Sequence, residues 1–119
     1  MDRFLDRRQA LADRYDSLLA DLAVVCPPRA PAGFRHGLHL YPVRVARRAE
    51  VYAAMRQSGI GVQVHYVPIQ QLSVSQPVVG SFPNADAVYA ELLSLPLFPD
   101  LTETEQDEVV AVLGAALTR

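Results

Sequence analysis

The chain contains no lysine: its eleven basic residues are all arginine. It also has no tryptophan and a single cysteine, Cys26. Each absence removes chemistry. A Schiff base needs an amine that can lose its proton, and arginine stays protonated at any working pH. Every mechanism that runs through a lysine imine is therefore closed to this polypeptide acting alone. One cysteine cannot form an internal disulfide or a thiolate zinc cluster, so a reduced, cytoplasmic compartment is the default expectation. No apolar run approaches the roughly 18 residues that a membrane span needs. The opening Met1-Asp2-Arg3-Phe4 has no apolar h-region and does not read as a secretory signal. A net charge of -2 over 119 residues, without aromatic-basic interleaving, leaves no electrostatic footprint for nucleic acid.

What is present suits one domain with one modest core, taken here as residues 1–119; half of the residues are hydrophobic. Residues 3 to 23 read as an amphipathic helix, with Phe4, Leu11, Tyr15, Leu18 and Leu22 on one stripe. Val24 to Cys26 is a short strand candidate, and Pro27, Pro28, Pro31 and Gly33 form a turn-rich connector. Leu38 to Val45 reads as a strand whose Pro42 makes it an edge strand or a broken one. Arg47 to Ser58 is a short helix with Val51 and Met55 inward, stopped by Gly59. Ile60 to Tyr66 has the cleanest strand alternation, with Ile60, Val62, Val64 and Tyr66 on one face.

Residues 69 to 83 read as a loop. Asn84 is placed to cap a helix carrying Ala85, Val88 and Leu92 on one side. Leu93 to Leu97 follows as a short strand. Thr102-Glu103-Thr104-Glu105 fits a capping box for a last helix that buries Val109, Val112, Leu113 and Ala116. The expected fold is α+β: a small, mostly antiparallel sheet covered by helices.

Most candidate chemistry has a plain explanation. His36 and His39 make an H-x-x-H with no third ligand close in sequence, so no metal site is assigned and turn polarity accounts for both. Cys26 could act as a nucleophile with a distant histidine, but it stands in an apolar stretch before two prolines, as a buried inert thiol does. Glu103, Glu105, Asp107 and Glu108 are explained by capping and the helix dipole. Gly59-Ile60-Gly61 lacks a third glycine and precedes a strand, so it is no phosphate loop. His65-Tyr66-Val67-Pro68 stands apart: an imidazole and a phenol at the mouth of a strand, both able to bond a phosphate or sugar oxygen.

Gly59 to Ile69, then Phe82-Pro83-Asn84-Ala85, Leu93-Ser94-Leu95-Pro96-Leu97-Phe98-Pro99, and Leu101-Thr102 with Glu105-Gln106 together resemble the C-terminal small domain of the DegT/StrS family. His39 to Val45 and Arg8 to Leu19 fit the same domain. These are pyridoxal-phosphate aminotransferases acting on nucleotide-linked keto sugars, and the subgroup most similar makes 4-amino sugars of surface glycans and nonulosonic acids. The resemblance implies the small-domain fold of a fold-type I aminotransferase. It implies no catalytic residue in this chain, whose lysine-bearing large domain would come in trans, with glutamate as the amino donor. It puts His65, Tyr66 and Gln70 against the sugar nucleotide. Relatives commonly carry a histidine where Gln70 stands, and a longer, tyrosine-containing loop where Leu72 to Ser81 runs. Two other readings of the chain are a non-catalytic nucleotide-sugar-binding or assembly module that self-associates as a dimer, and a truncated remnant.

Overall fold

The computed structural model describes residues 2–72 and 80–119. Helix α1 runs Asp2–Leu18, strand β1 Val24–Val25, strand β2 Tyr41–Val45 and helix α2 Arg48–Gln57. A 3-10 turn covers Ile69–Gln71, followed by helix α3 Pro83–Glu91, strand β3 Leu92–Leu95 and helix α4 Glu103–Leu117. The sheet has the order β1-β2-β3, antiparallel throughout, with Val25 opposite Arg44 and Val43 opposite Leu93. This is the expected α+β arrangement of a small antiparallel sheet with helices.

Strand alternation sorts β2 cleanly. Tyr41, Val43 and Val45 are buried, while Pro42 and Arg44 point to the other face. Leu11, Ala12, Tyr15 and Leu19 of the α1 region, Val51 and Met55 of α2, and Val109, Leu113 and Ala116 of α4 close over the buried face. The core stripe of α1 passes through Ala12 and Leu19 more than through the predicted Phe4 and Leu18; Phe4 is exposed. α3 lies toward the other face and buries none of its own residues. There Glu91 is 2.7 Å from Arg44 of β2.

Pro42 corrects the expectation of an edge or broken strand. It lies in the middle strand, opposite Ser94. Ser94 exchanges both of its backbone bonds with Gln63 on its far side, at 3.2 and 2.8 Å, so its pairing with Pro42 is of the non-hydrogen-bonded kind. The N–H that Pro42 lacks would point toward β1, which stops at Val25 and leaves that stretch uncovered. The strand is central by order and local edge at the proline.

Two further boundaries differ. Residues 60 to 66 are extended but join the sheet through the single bridge Gln63–Ser94. Ile60 and Val62 are buried, whereas Tyr66 is 72% exposed and does not continue the apolar face. Asn84 lies inside α3: Phe82 holds the cap position and Pro83 the first helical position, where its missing N–H costs nothing. The predicted loop over 69–83 contains the 3-10 turn, and its residues 73–79 lie outside the described residues.

Helix ends follow local chemistry. α2 stops at Gly59, whose φ of +84° suits glycine. The Ile60 N–H bonds the Met55 carbonyl and the Gly59 N–H that of Arg56, which closes the helix as a Schellman motif. At α4 the Thr102 Oγ1 accepts the Glu105 N–H at 3.2 Å, and the Glu105 carboxylate accepts the Thr102 N–H at 2.7 Å. That backbone bond holds the Glu105 carboxyl below its usual range. In the core the rings of Tyr15 and Tyr41 stack at 4.9 Å. Tyr15 donates to the Pro96 carbonyl at 2.9 Å and Tyr41 donates to Asp16. Burial pushes both phenols well above their usual 10.0.

Thr102→Ala removes the cap and is expected to cost about 1 kcal/mol, read as a drop of roughly 4 °C in Tm by calorimetry. The raised tyrosines set a second expectation. A group whose folded pKa is raised stabilises the fold below its unfolded value and loses that contribution above it. Tm should therefore fall as pH rises past 10.0, and Tyr15→Phe, which cannot ionise, should show a shallower alkaline decline in the same scan.

Candidate functional site

The Gln63–Ser94 bridge delivers the chain to His65 on the open side of β3. The Ser94 side chain, buried between Leu93 and Leu95, lies 3.0 Å from Nδ1 of His65 through its Oγ. Sequence reasoning passed over Ser94; its signal is a lone hydroxyl in an otherwise apolar strand. Tyr66 follows across a cis peptide, its ring 4.9 Å from the imidazole.

After Pro68 the 3-10 turn brings round Gln70, whose Nε2 donates to Asp86 Oδ1 of α3 at 3.2 Å. Gln71 donates to the same oxygen at 2.8 Å. Asp86 is the second residue missed; it sits where an acid in the first turn of a helix has an ordinary dipole explanation.

The structure thus brings His65, Tyr66 and Gln70 to one hollow of about 550 Å³, which Ile69, Val88 and Tyr89 floor with apolar surface. A phenol, an imidazole and an amide over an apolar floor can bond ring hydroxyls or phosphate oxygens while apolar surface covers a flat group. His65 also borders a second hollow of about 400 Å³ reached by Arg8 and His39.

Of the remaining candidates, His39 lines the second hollow with His65 and the others stay apart. His36 accepts the Leu38 N–H through Nδ1 at 2.9 Å. Among the described residues, no three His, Cys, Asp or Glu side chains come together as a metal site. Cys26 is half-buried against the core, beside Tyr41. Of the four acids at the start of α4, Glu105 caps the helix and Asp107 meets Arg14 at 2.8 Å. No helix among the described residues is long and apolar enough to cross a membrane.

Residues 1–114 match the DegT/DnrJ/EryC1/StrS aminotransferase family. The chain belongs to that family. It is similar to the pleiotropic regulatory protein of Geobacillus stearothermophilus, at 33% identity over 92% of this chain and 31% of that protein. It is equally similar to the dTDP-3-amino-3,4,6-trideoxy-alpha-D-glucose transaminase of Streptomyces venezuelae, at 33% identity over 97% of this chain and 31% of the relative. Among solved structures it superposes on the aminotransferase TlmJ from Streptoalloteichus hindustanus with a TM-score of 0.93 and 29% identity, covering 99% of this chain and 33% of TlmJ. The chain therefore spans about a third of the length of the relatives it matches.

Asp86→Ala should release Gln70 and Gln71 from α3 without touching the core. Hydrogen exchange is expected to speed up at residues 69–72 while global stability changes by less than about 0.5 kcal/mol.

Proposed function

We propose that this chain is the small, substrate-facing domain of a pyridoxal-phosphate-dependent aminotransferase that moves an amino group, from glutamate, onto a nucleotide-linked keto sugar. The observation that carries the reading is family membership over residues 1–114, together with a fold that overlays one third of a solved aminotransferase. Residues 1–119 are taken as one domain, and the cytoplasm as its compartment. When bound, pyridoxal phosphate supplies the electron sink for amino transfer. This chain does not fit a covalent hold on it, because a lysine-free polypeptide offers no side-chain amine. No catalytic step is assigned to the chain. The lysine comes from a large domain, on another polypeptide or elsewhere on a longer one.

The chain's own contribution is orientation. His65 is steadied by Ser94 and Gln70 by Asp86, and Tyr66 projects into solvent where a second wall would meet it. In this reading all three bind the sugar nucleotide. Tyr66, Val67, Ile69 and Phe82 are all exposed, an apolar surface of the kind a partner covers. That surface also favours a second reading, an assembly module that dimerises through it.

The test is to co-express the chain with the lysine-bearing large domain of a relative and assay transfer from glutamate to a nucleotide-linked keto sugar. A complex that turns over supports the reading, and His65→Ala should lower kcat/KM by about 10- to 100-fold with Tm nearly unchanged. Turnover by the pure chain would overturn it. A chain that elutes only with itself in light scattering would favour the assembly module.

A further inference from the structure

Arg8 of α1 is spent on main chain, not on an acid. Its Nη1 donates to the carbonyls of Leu38 at 2.8 Å, His39 at 3.1 Å and Leu97 at 3.5 Å. Arg14, Arg29, Arg35, Arg44 and Arg47 each meet a carboxylate. Arg8, like Arg7, meets none among the described residues, and its charge faces main-chain carbonyls instead.

That charge borders the second hollow, of about 400 Å³, which His39, Gln63, His65 and Ser94 also line and which no Asp or Glu among the described residues lines. An acid-free recess with two imidazoles and a guanidinium is unexpected in a chain of net charge -2. The turn that brings His39 there is strained. Leu38 sits at φ +46°, a region that a leucine rarely visits. It is held by the His36 ring on its N–H and by Arg8 on its carbonyl. Non-glycine residues in this region persist where the surroundings over-determine them, and they cluster where a side chain must be aimed. His65 has Nδ1 engaged with Ser94 and Nε2 without a protein partner among the described residues.

We propose that this hollow is an oxoanion site, taking the phosphate or carboxylate group of a small ligand through Arg8, His39 and His65. It adjoins the Tyr66–Gln70 hollow and shares His65 with it, while Arg8 and His39 belong to this hollow alone. Guanidinium and imidazole N–H donors to a charged oxygen make charge-assisted hydrogen bonds, the stronger class, and a recess without acids leaves nothing to compete.

The three histidines of the chain provide the test. Ring signals of His36, His39 and His65 are followed by two-dimensional NMR as inorganic phosphate, sodium acetate or sodium chloride is added at matched ionic strength. Saturable shifts of His39 and His65 with one common Kd, while His36 stays still, are expected with phosphate or acetate and not with chloride. Tighter phosphate identifies a phosphate-bearing ligand, and acetate equal or tighter a carboxylate. Arg8→Gln should abolish the response. His39→Ala, a change at an exposed residue that leaves the core intact, should weaken the Kd read at His65 by about 5-fold or more. Shifts shared by all three rings, equal shifts with chloride, no shift at all, or a Kd at His65 indifferent to His39→Ala would each overturn the proposal.

Discussion

The double backbone exchange between Ser94 and Gln63 fixes where the candidate site can stand. Ser94 belongs to a strand whose neighbours Leu93 and Leu95 are in the core, and it is itself buried. A buried hydroxyl left without a partner costs about 1–3 kcal/mol, so its bond to the His65 ring satisfies the strand and aims the imidazole together. His65 is thereby tied to the core by main chain at Gln63 and by side chain at Ser94. Tyr66 and Gln70 take their places from it, one by direct succession and the other through a turn anchored on Asp86.

Order therefore grades across the molecule. On one side of the sheet, α1, α2 and α4 enclose stacked tyrosines, and the Gln106 amide reaches the Leu11 carbonyl at 2.9 Å from a fully buried position. On the other, α3 buries no residue and leans on an ion pair and two glutamine bonds. The hollow on that side lies between α3 and the arm that carries His65 and Tyr66. This matches a domain that spans about a third of its relatives' length.

Legibility in the sequence followed the kind of signal. The Thr102–Glu105 cap, the stop at Gly59 and the inward Val51 and Met55 were readable because each is decided within a few residues. The alternation from Ile60 to Tyr66 misled. Its apolar members are met by packing at Ile60 and Val62, while pairing is limited to Gln63, so a strand pattern became an extended arm. The same arm leaves Tyr66 in solvent, which periodicity could not foresee. His65, Tyr66 and Gln70 were legible as residues, but Ser94 and Asp86, which hold His65 and Gln70, are 29 and 16 positions away from them. Such partners are chosen by the fold and leave no local mark. Asn84 shows the reverse case: a good capping residue was displaced because Pro83 had already started the helix.

Pro42 has a consequence of another kind. An uncovered stretch in the middle of a sheet is an invitation to any free strand, because bare N–H and C=O groups template further pairing. Here the bare stretch of β2 has no donor at Pro42, and Pro27 and Pro28 stand beside it around a recess of about 310 Å³. Three prolines make that opening a poor place for a foreign strand to zip in. The gap between β1 and the rest of β2 can thus remain open in a crowded cell without becoming a seed for edge-to-edge aggregation.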